Sequence, residues 1–237
     1  MPKPDEKTIV KPEPWKGFAE KNIVYVPFDS PSRIIQKTLR ESSLKEKDIG
    51  FGFLYLLKNK VVLYHSMGAP LAVLCLENLI APKAKRILLL GFCGSLNPRY
   101  KVMDVVSISR ALSEEGTSRH YLPRKRIFHP SLTLKNVIES TLRQASLPFL
   151  TGTVVSTDAP YRETESWLKE KQKRKIDLVD METSAVFALA EFRRIEAAAL
   201  LVVSDELWSK TWKKAFKLPE LEEKIKKYFL PFISKIR

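Results

Sequence analysis

The sequence predicts an α/β fold, a sandwich of helices about a mainly parallel or mixed sheet, and three observations point to it. Short β-branched and aromatic runs alternate with helix-period segments along the whole length. RILLLGF is a continuous apolar run, as a central strand covered on both faces must be, and AAALLVVSD is another apolar strand, ending in two polar residues. At 237 residues and 44% hydrophobic composition, the chain can bury one large core without a metal or a disulfide.

In order, residues 1–20 read as a flexible lead-in, because prolines and mixed charges offer neither a helical nor a strand period. Residues 21–237 then form one domain. NIVYVPF is the first strand, followed by a DSPS turn and a helix from Pro31 to about Ser42. FGFLYLL and KVVLYHS add two strands. From Ala69 to Ile80 the apolar residues wrap most of a helix, with Pro70 in its first turn. RILLLGF and DVVSISR extend the sheet on either side of a Gly-Ser-Leu-Asn-Pro turn.

Residues 114–130 read as a polar, basic loop, and HPSLTLKNVIESTLRQA as a helix with Pro130 near its start. FLTGTVVST is a strand, 163–174 a charged helix, METSAVFALAEF a buried helix and AAALLVVSD the last apolar strand. A final helix from Leu218 to about Lys235 sets Leu221, Ile225 and Phe229 on one stripe. In sheets of this kind ligands bind at the carboxyl ends of the strands, so the polar residues that end each apolar run are the candidates for chemistry.

The formal charge of +14 invites a polyanion partner, but the lysines and arginines are interspersed with acids on helical surfaces and no nucleic-acid motif accompanies them. Nucleic acid is therefore not the expected partner. The N-terminus has no apolar core, and no run reaches the roughly 18 apolar residues of a membrane span. Cys75 and Cys93 lack metal-ligand spacing and lie in apolar segments, which fits thiols of a reducing compartment, and the cytoplasm is the expected location. No pattern calls for a metal or an organic cofactor.

Five segments carry a family resemblance by their order: MGAP (67–70), GFCGSL (91–96), EEGTSRHYLP (114–123), STDAPY (156–161) with DMETSAVFALA (180–190), and VVSDEL (202–207). The set resembles the nucleoside phosphorylase family of uridine phosphorylases, purine nucleoside phosphorylases and related nucleosidases. The resemblance implies a three-layer α/β/α sandwich with a central mixed sheet, a small-molecule nucleoside as substrate, phosphate as a conditional co-substrate, and a homo-oligomer in which a neighbour completes each site.

The chemistry gives these residues a rationale. Breaking a ribosyl N-glycosidic bond builds positive charge on the sugar and negative charge on the departing base, so an acid is needed at the base and acceptors around the ribose. The resemblance places Asp205 at the base as general acid, with a raised pKa to which the adjacent Glu206 and burial would contribute. Read without the resemblance, the same Asp is better taken as a helix N-cap at a strand-to-helix turn. Met181 and Glu182 inherit the ribose-holding roles, with Met67 as a second sugar-packing residue. The plain alternatives are a first-turn Glu complementing a helix dipole and a Met filling core. Phe92, Gly94, Pro160 and Tyr161 fall on positions that line the base pocket. Tyr121 and His120 belong to a loop of uridine phosphorylase-like pattern.

At the phosphate site the pattern departs. Leu89 stands where the family carries an Arg, and Phe92 where it carries a hydroxyl residue. The N-terminal Gly-Asp-Pro-x-Arg turn becomes Phe28-Asp29-Ser30-Pro31-Ser32-Arg33, leaving Arg33 as the phosphate ligand. A dianion taken out of water without paired donors costs several kcal/mol. Three outcomes follow. Water replaces phosphate, with Glu13, Glu20 or Asp29 to activate it; or Arg86, Lys210 or Lys217 rebuilds the anion site; or the chain binds a nucleoside-like ligand without cleaving it.

Overall fold

The computed structural model describes residues 8–28, 32–81, 83–209 and 211–234. In chain order these form β1 (Asn22–Val26), α1 (Ile34–Ser42), β2 (Lys45–Asp48), β3 (Phe53–Leu57), β4 (Lys60–Tyr64), α2 (Ala69–Ile80), β5 (Arg86–Ser95) and β6 (Val105–Ser113). There follow α3 (Ser118–Tyr121), β7 (Ile127–Phe128), α4 (Leu132–Gln144), β8 (Leu150–Ser156), a 3₁₀ turn at Pro160–Arg162 and α5 (Glu165–Lys173). The chain ends with β9 (Leu178–Asp180), α6 (Thr183–Arg193), β10 (Glu196–Glu206), β11 (Lys213–Lys214), α7 (Pro219–Lys224), a π-helical turn at Ile225–Phe229 and α8 (Leu230–Ser234).

One mixed sheet carries the strands in the order β11-β10-β6-β8-β9-β5-β1-β4-β3-β2, with β7 on β6. β5 also pairs with β10 in parallel, so β5, β9, β8, β6 and β10 close on themselves into a small barrel continuous with an open wing. β5 and β10 lie at the centre because they are apolar on both faces. Along β10, Ala197, Ala199, Leu201 and Val203 face one core, which holds α2 and α6. Ala198, Leu200 and Val202 face a second core, with α1, α4 and the C-terminal helices. β1 divides in the same way, Ile23 and Tyr25 against Val24 and Val26. This two-residue alternation between two helical layers is the three-layer α/β/α arrangement with a mixed central sheet that the sequence predicts.

Several elements depart from expectation. β2 (KEKD) is exposed along its length and forms the charged edge of the wing, where charge blunts further pairing. The predicted loop at 114–130 holds α3 and β7, and a short β9 precedes the METSAV helix. The predicted last helix is interrupted by the π turn, yet Leu221, Ile225 and Phe229 are all buried. Residues 8–20 have no regular element. Phe18 is nevertheless buried in the first core, with Trp15 packed against it. Pro31 and Lys235 lie outside the described residues.

Candidate active site

At the carboxyl ends of β1, β5 and β10 lies a cavity of about 520 Å³. Met67, Phe92, Gly94, Pro160, Tyr161, Met181, Glu182 and Asp205, all singled out from sequence, line it together.

Asp205 reaches the cavity through a fault in the sheet. The β10–β5 register slips between Val203 and Asp205, so Ser204 is a β-bulge that turns the following side chain. Gly94 sits opposite Asp205, and a Cβ there would lie 3.2 Å from Asp205 Oδ2 and 2.7 Å from Leu207 Cδ1. Asp205 is thus a strand residue of β10, which corrects the helix N-cap alternative: the chain runs on toward β11, not into a helix. Trp212 Nε1 donates to its Oδ2 at 2.7 Å and Ser204 Oγ to its Oδ1 at 2.8 Å. Burial raises its pKa, and these two donors oppose the rise. Glu206 points elsewhere, accepting the Val102 N–H at 2.9 Å.

Glu182 is the residue before α6 and is buried, which rules out a solvated dipole partner. It accepts the Gly68 N–H at 2.7 Å. Gly68 has φ +89°, a conformation glycine adopts without strain, and this turns its N–H to the carboxylate at the start of α2. Burial first, and then the charge of Asp180, push the Glu182 carboxyl upward. Asp180 is held by Ser156 Oγ at 2.6 Å, by the Thr183 N–H at 3.1 Å and by the Thr183 hydroxyl.

That network continues behind the site. The Ser184 N–H donates to Ser156 Oγ at 2.9 Å, and Ser184 Oγ donates to Glu115 Oε1 at 2.9 Å. Glu115 also accepts from Ser113, Thr117 and Ser118, so the 114–123 segment acts as a brace for the start of α6. Tyr121 belongs to the brace as well, donating to Glu77 Oε1 at 3.1 Å. His120 is exposed and away from the cavity.

Among the lining residues that the sequence reading did not single out are Phe28, Asp180, Glu163 and Trp212. Only Asp180 had a visible signal, as a carboxylate ending the apolar run LVD. Burial, and then the charge of Asp205, push Glu163 up to about 7.

The residues at which the resemblance departs from a phosphate site are placed as follows. Leu89 is buried in the core, and Phe92 stacks on Phe28 with ring centroids 3.7 Å apart. Arg33 opens α1, exposed and outside the cavity lining. Arg86 pairs with Glu196 at the amino end of β5, and Lys217, Glu13 and Glu20 do not line the cavity. Asp29 and Lys210 lie outside the described residues. Among the described residues the cavity gathers four carboxyl groups and no Lys or Arg.

The sequence profile of the phosphorylase superfamily matches residues 35–234. Guanosine phosphorylase of Halorubrum lacusprofundi is 29% identical over an alignment covering 68% of this chain and 66% of that protein. A purine nucleoside phosphorylase of Mycoplasma genitalium is 29% identical over 65% of this chain and 66% of its own length. The chain thus spans just under two thirds of these relatives. Among solved structures, purine nucleoside phosphorylase of Toxoplasma gondii in complex with immucillin-H superposes with a TM-score of 0.74 at 22% identity, covering 94% of both chains. AMP nucleosidase of Bacteroides thetaiotaomicron gives 0.71 at 22% identity, over 91% of this chain and 89% of that one. At such identities the superpositions speak for the fold.

Proposed function

The chain belongs to the phosphorylase superfamily, and from that membership we propose that it is an enzyme that cleaves the N-glycosidic bond of an unphosphorylated nucleoside, with water as the acceptor. The observation that carries this reading is the cavity's charge. The cavity gathers four carboxyls, which suit a ribose and a departing base, and among the described lining residues no cation to hold a phosphate.

In this reading Glu182 accepts hydrogen bonds from the ribose hydroxyls, and Met181 and Met67 pack on the sugar. Asp205 gives a proton to the departing base or holds one on it. The Gly68 N–H holds Glu182 Oε1 in place beside the cavity. Phe92, on its Phe28 stack, with Gly94, Pro160 and Tyr161, encloses the base. Positive charge growing on the ribose is stabilised by the carboxylates around it. Arg33 has no part in this scheme, and the Phe28–Phe92 pair offers an apolar wall to any anion.

We place the protein in the cytoplasm, on the strength of two buried free thiols. We also place it in a homo-oligomer. Met67, Tyr161, Trp212 and Phe216 line the cavity and yet are exposed, as a rim covered by a second copy would be.

The test is release of free base from a panel of purine and pyrimidine nucleosides, with and without phosphate. Release indifferent to phosphate is the expected result, and strict dependence on it would overturn the choice of water. Asp205→Asn should lower release of a purine by about 10²- to 10⁴-fold, the range of general acid catalysis. No release from any nucleoside would leave a binding protein on the same fold, a reading that the aromatic pair in the phosphate position favours.

A further inference from the structure

Three of the four cavity carboxyls have donors from the protein. Asp180 takes Ser156 and Thr183, Glu182 takes the Gly68 N–H, and Asp205 takes Trp212 and Ser204. The carboxyl of Glu163 has no hydrogen-bond or ion-pair partner among the described residues. It does not hang free in solvent. It lines the cavity with Asp205, Leu207 and Trp212, and its backbone is pinned at the end of the 3₁₀ turn. There the Glu163 N–H reaches Pro160 O at 3.2 Å and the next amide reaches Arg162 O at 2.9 Å.

A carboxylate so placed is an acceptor waiting for a donor. Nothing in the sequence or the fold requires an acid here; the turn needs only its backbone. Resting on the reading of this cavity as a nucleoside site, we propose that Glu163 is a specificity-determining residue that reads the ring substituent next to the atom met by Asp205. It selects bases bearing an exocyclic amino group there over bases bearing an oxo group.

The argument is one of complementarity. An amino group brings the N–H that Glu163 lacks. An oxo group sets a lone pair against a carboxylate beside a second carboxylate, with no cation among the described lining residues to offset it. Discrimination of this sort is strong because the wrong base leaves a shielded polar group unpaired, whereas apolar walls alone separate such similar rings poorly. The upward push on Glu163 by burial and by Asp205 is what a carboxyl without a donor should feel, and an amino ligand would relieve it.

Calorimetric titration of the full chain with adenine and with hypoxanthine at pH 8, where Glu163 is ionised, tests the proposal. The parent should bind adenine at least about tenfold more tightly than hypoxanthine, the usual scale of a hydrogen bond to a charged group. In Glu163→Gln, whose amide offers both a donor and an acceptor, the ratio should fall to within about threefold, with hypoxanthine gaining. Glu163→Ala should lose adenine affinity without gaining hypoxanthine. An unchanged ratio in Glu163→Gln, no preference in the parent, or binding of neither base would each overturn the proposal. Base release from adenosine, followed separately, isolates the underlying reading. Selective binding of adenine with no release would sink the enzyme and leave the recognition by Glu163 standing.

Discussion

Asp205 is pulled two ways. Burial disfavours its charge, while Trp212 and Ser204 donate to it and favour the charge. Removing one donor therefore has a calculable sign. In Trp212→Phe the ring stays but the N–H is lost, the carboxyl rises further, and the group stays protonated to higher pH. The alkaline limb of the kcat/KM profile should move up by about one pH unit. A limb that stays put, or moves down, would take Asp205 out of the acid role. Glu163 supplies a stability prediction. Its carboxyl goes from an ordinary 4.5 to about 7 on folding, so the folded state favours its protonated form. Its ionisation does not oppose folding below about pH 4.5, and the penalty grows between 4.5 and 7 and is complete above 7. Glu163→Gln should thus be more stable than the parent at pH 8, by on the order of 1–3 kcal/mol, and no more stable at pH 4. Denaturant titrations at the two pH values measure this; a gain at pH 4 equal to that at pH 8 would show that the carboxyl's charge is not its source.

At the level of elements, strands and helices were legible where burial writes a period. The predicted bounds of α2 match the observed ones, and the apolar runs that became β5 and β10 lie at the centre of the sheet. β2 escaped because its side chains are all charged and exposed, so no apolar period marks it. The site followed the same rule. Asp205, Glu182 and their neighbours stand at the ends of apolar elements. Glu163 and Trp212 instead come from a polar turn and an irregular connection, where neither period nor composition says which way a side chain points. The bulge at Ser204 was likewise invisible, since a slip in pairing leaves no mark on one strand's sequence. It makes the β5–β10 seam the sensitive element of the site. A methyl group added at Gly94 would meet Leu207, Val179 and Asp205, all of them side chains that can shift. Gly94→Ala should therefore cost little stability, about 1 kcal/mol or less, but lower base release by about tenfold or more through displacement of Asp205. A variant that unfolds before it loses activity would show that the contact is structural.

For the whole molecule, two fields of opposite sign meet. The chain as a whole carries +14, while the cavity holds four carboxyls and, among the described residues, no cation. These fields differ in reach. The surface charge attracts any anion from a distance, but over water, and salt screens it beyond about 8 Å at physiological ionic strength. Inside the cavity those carboxyls that are ionised act at short range in a poorly screened space. A nucleoside feels neither strongly, whereas its 5′-monophosphate is drawn by the first and repelled by the second. The neutral compound should accordingly bind at least about tenfold more tightly than its monophosphate. The ratio should widen between 20 and 200 mM salt, because added salt removes the attraction and leaves the repulsion. Competition between the two compounds at both salt concentrations measures it. Equal affinity, or a ratio that narrows as salt rises, would mean that a cation reaches the bound phosphate, and the exclusion of anions from this site would fall with the choice of water as acceptor.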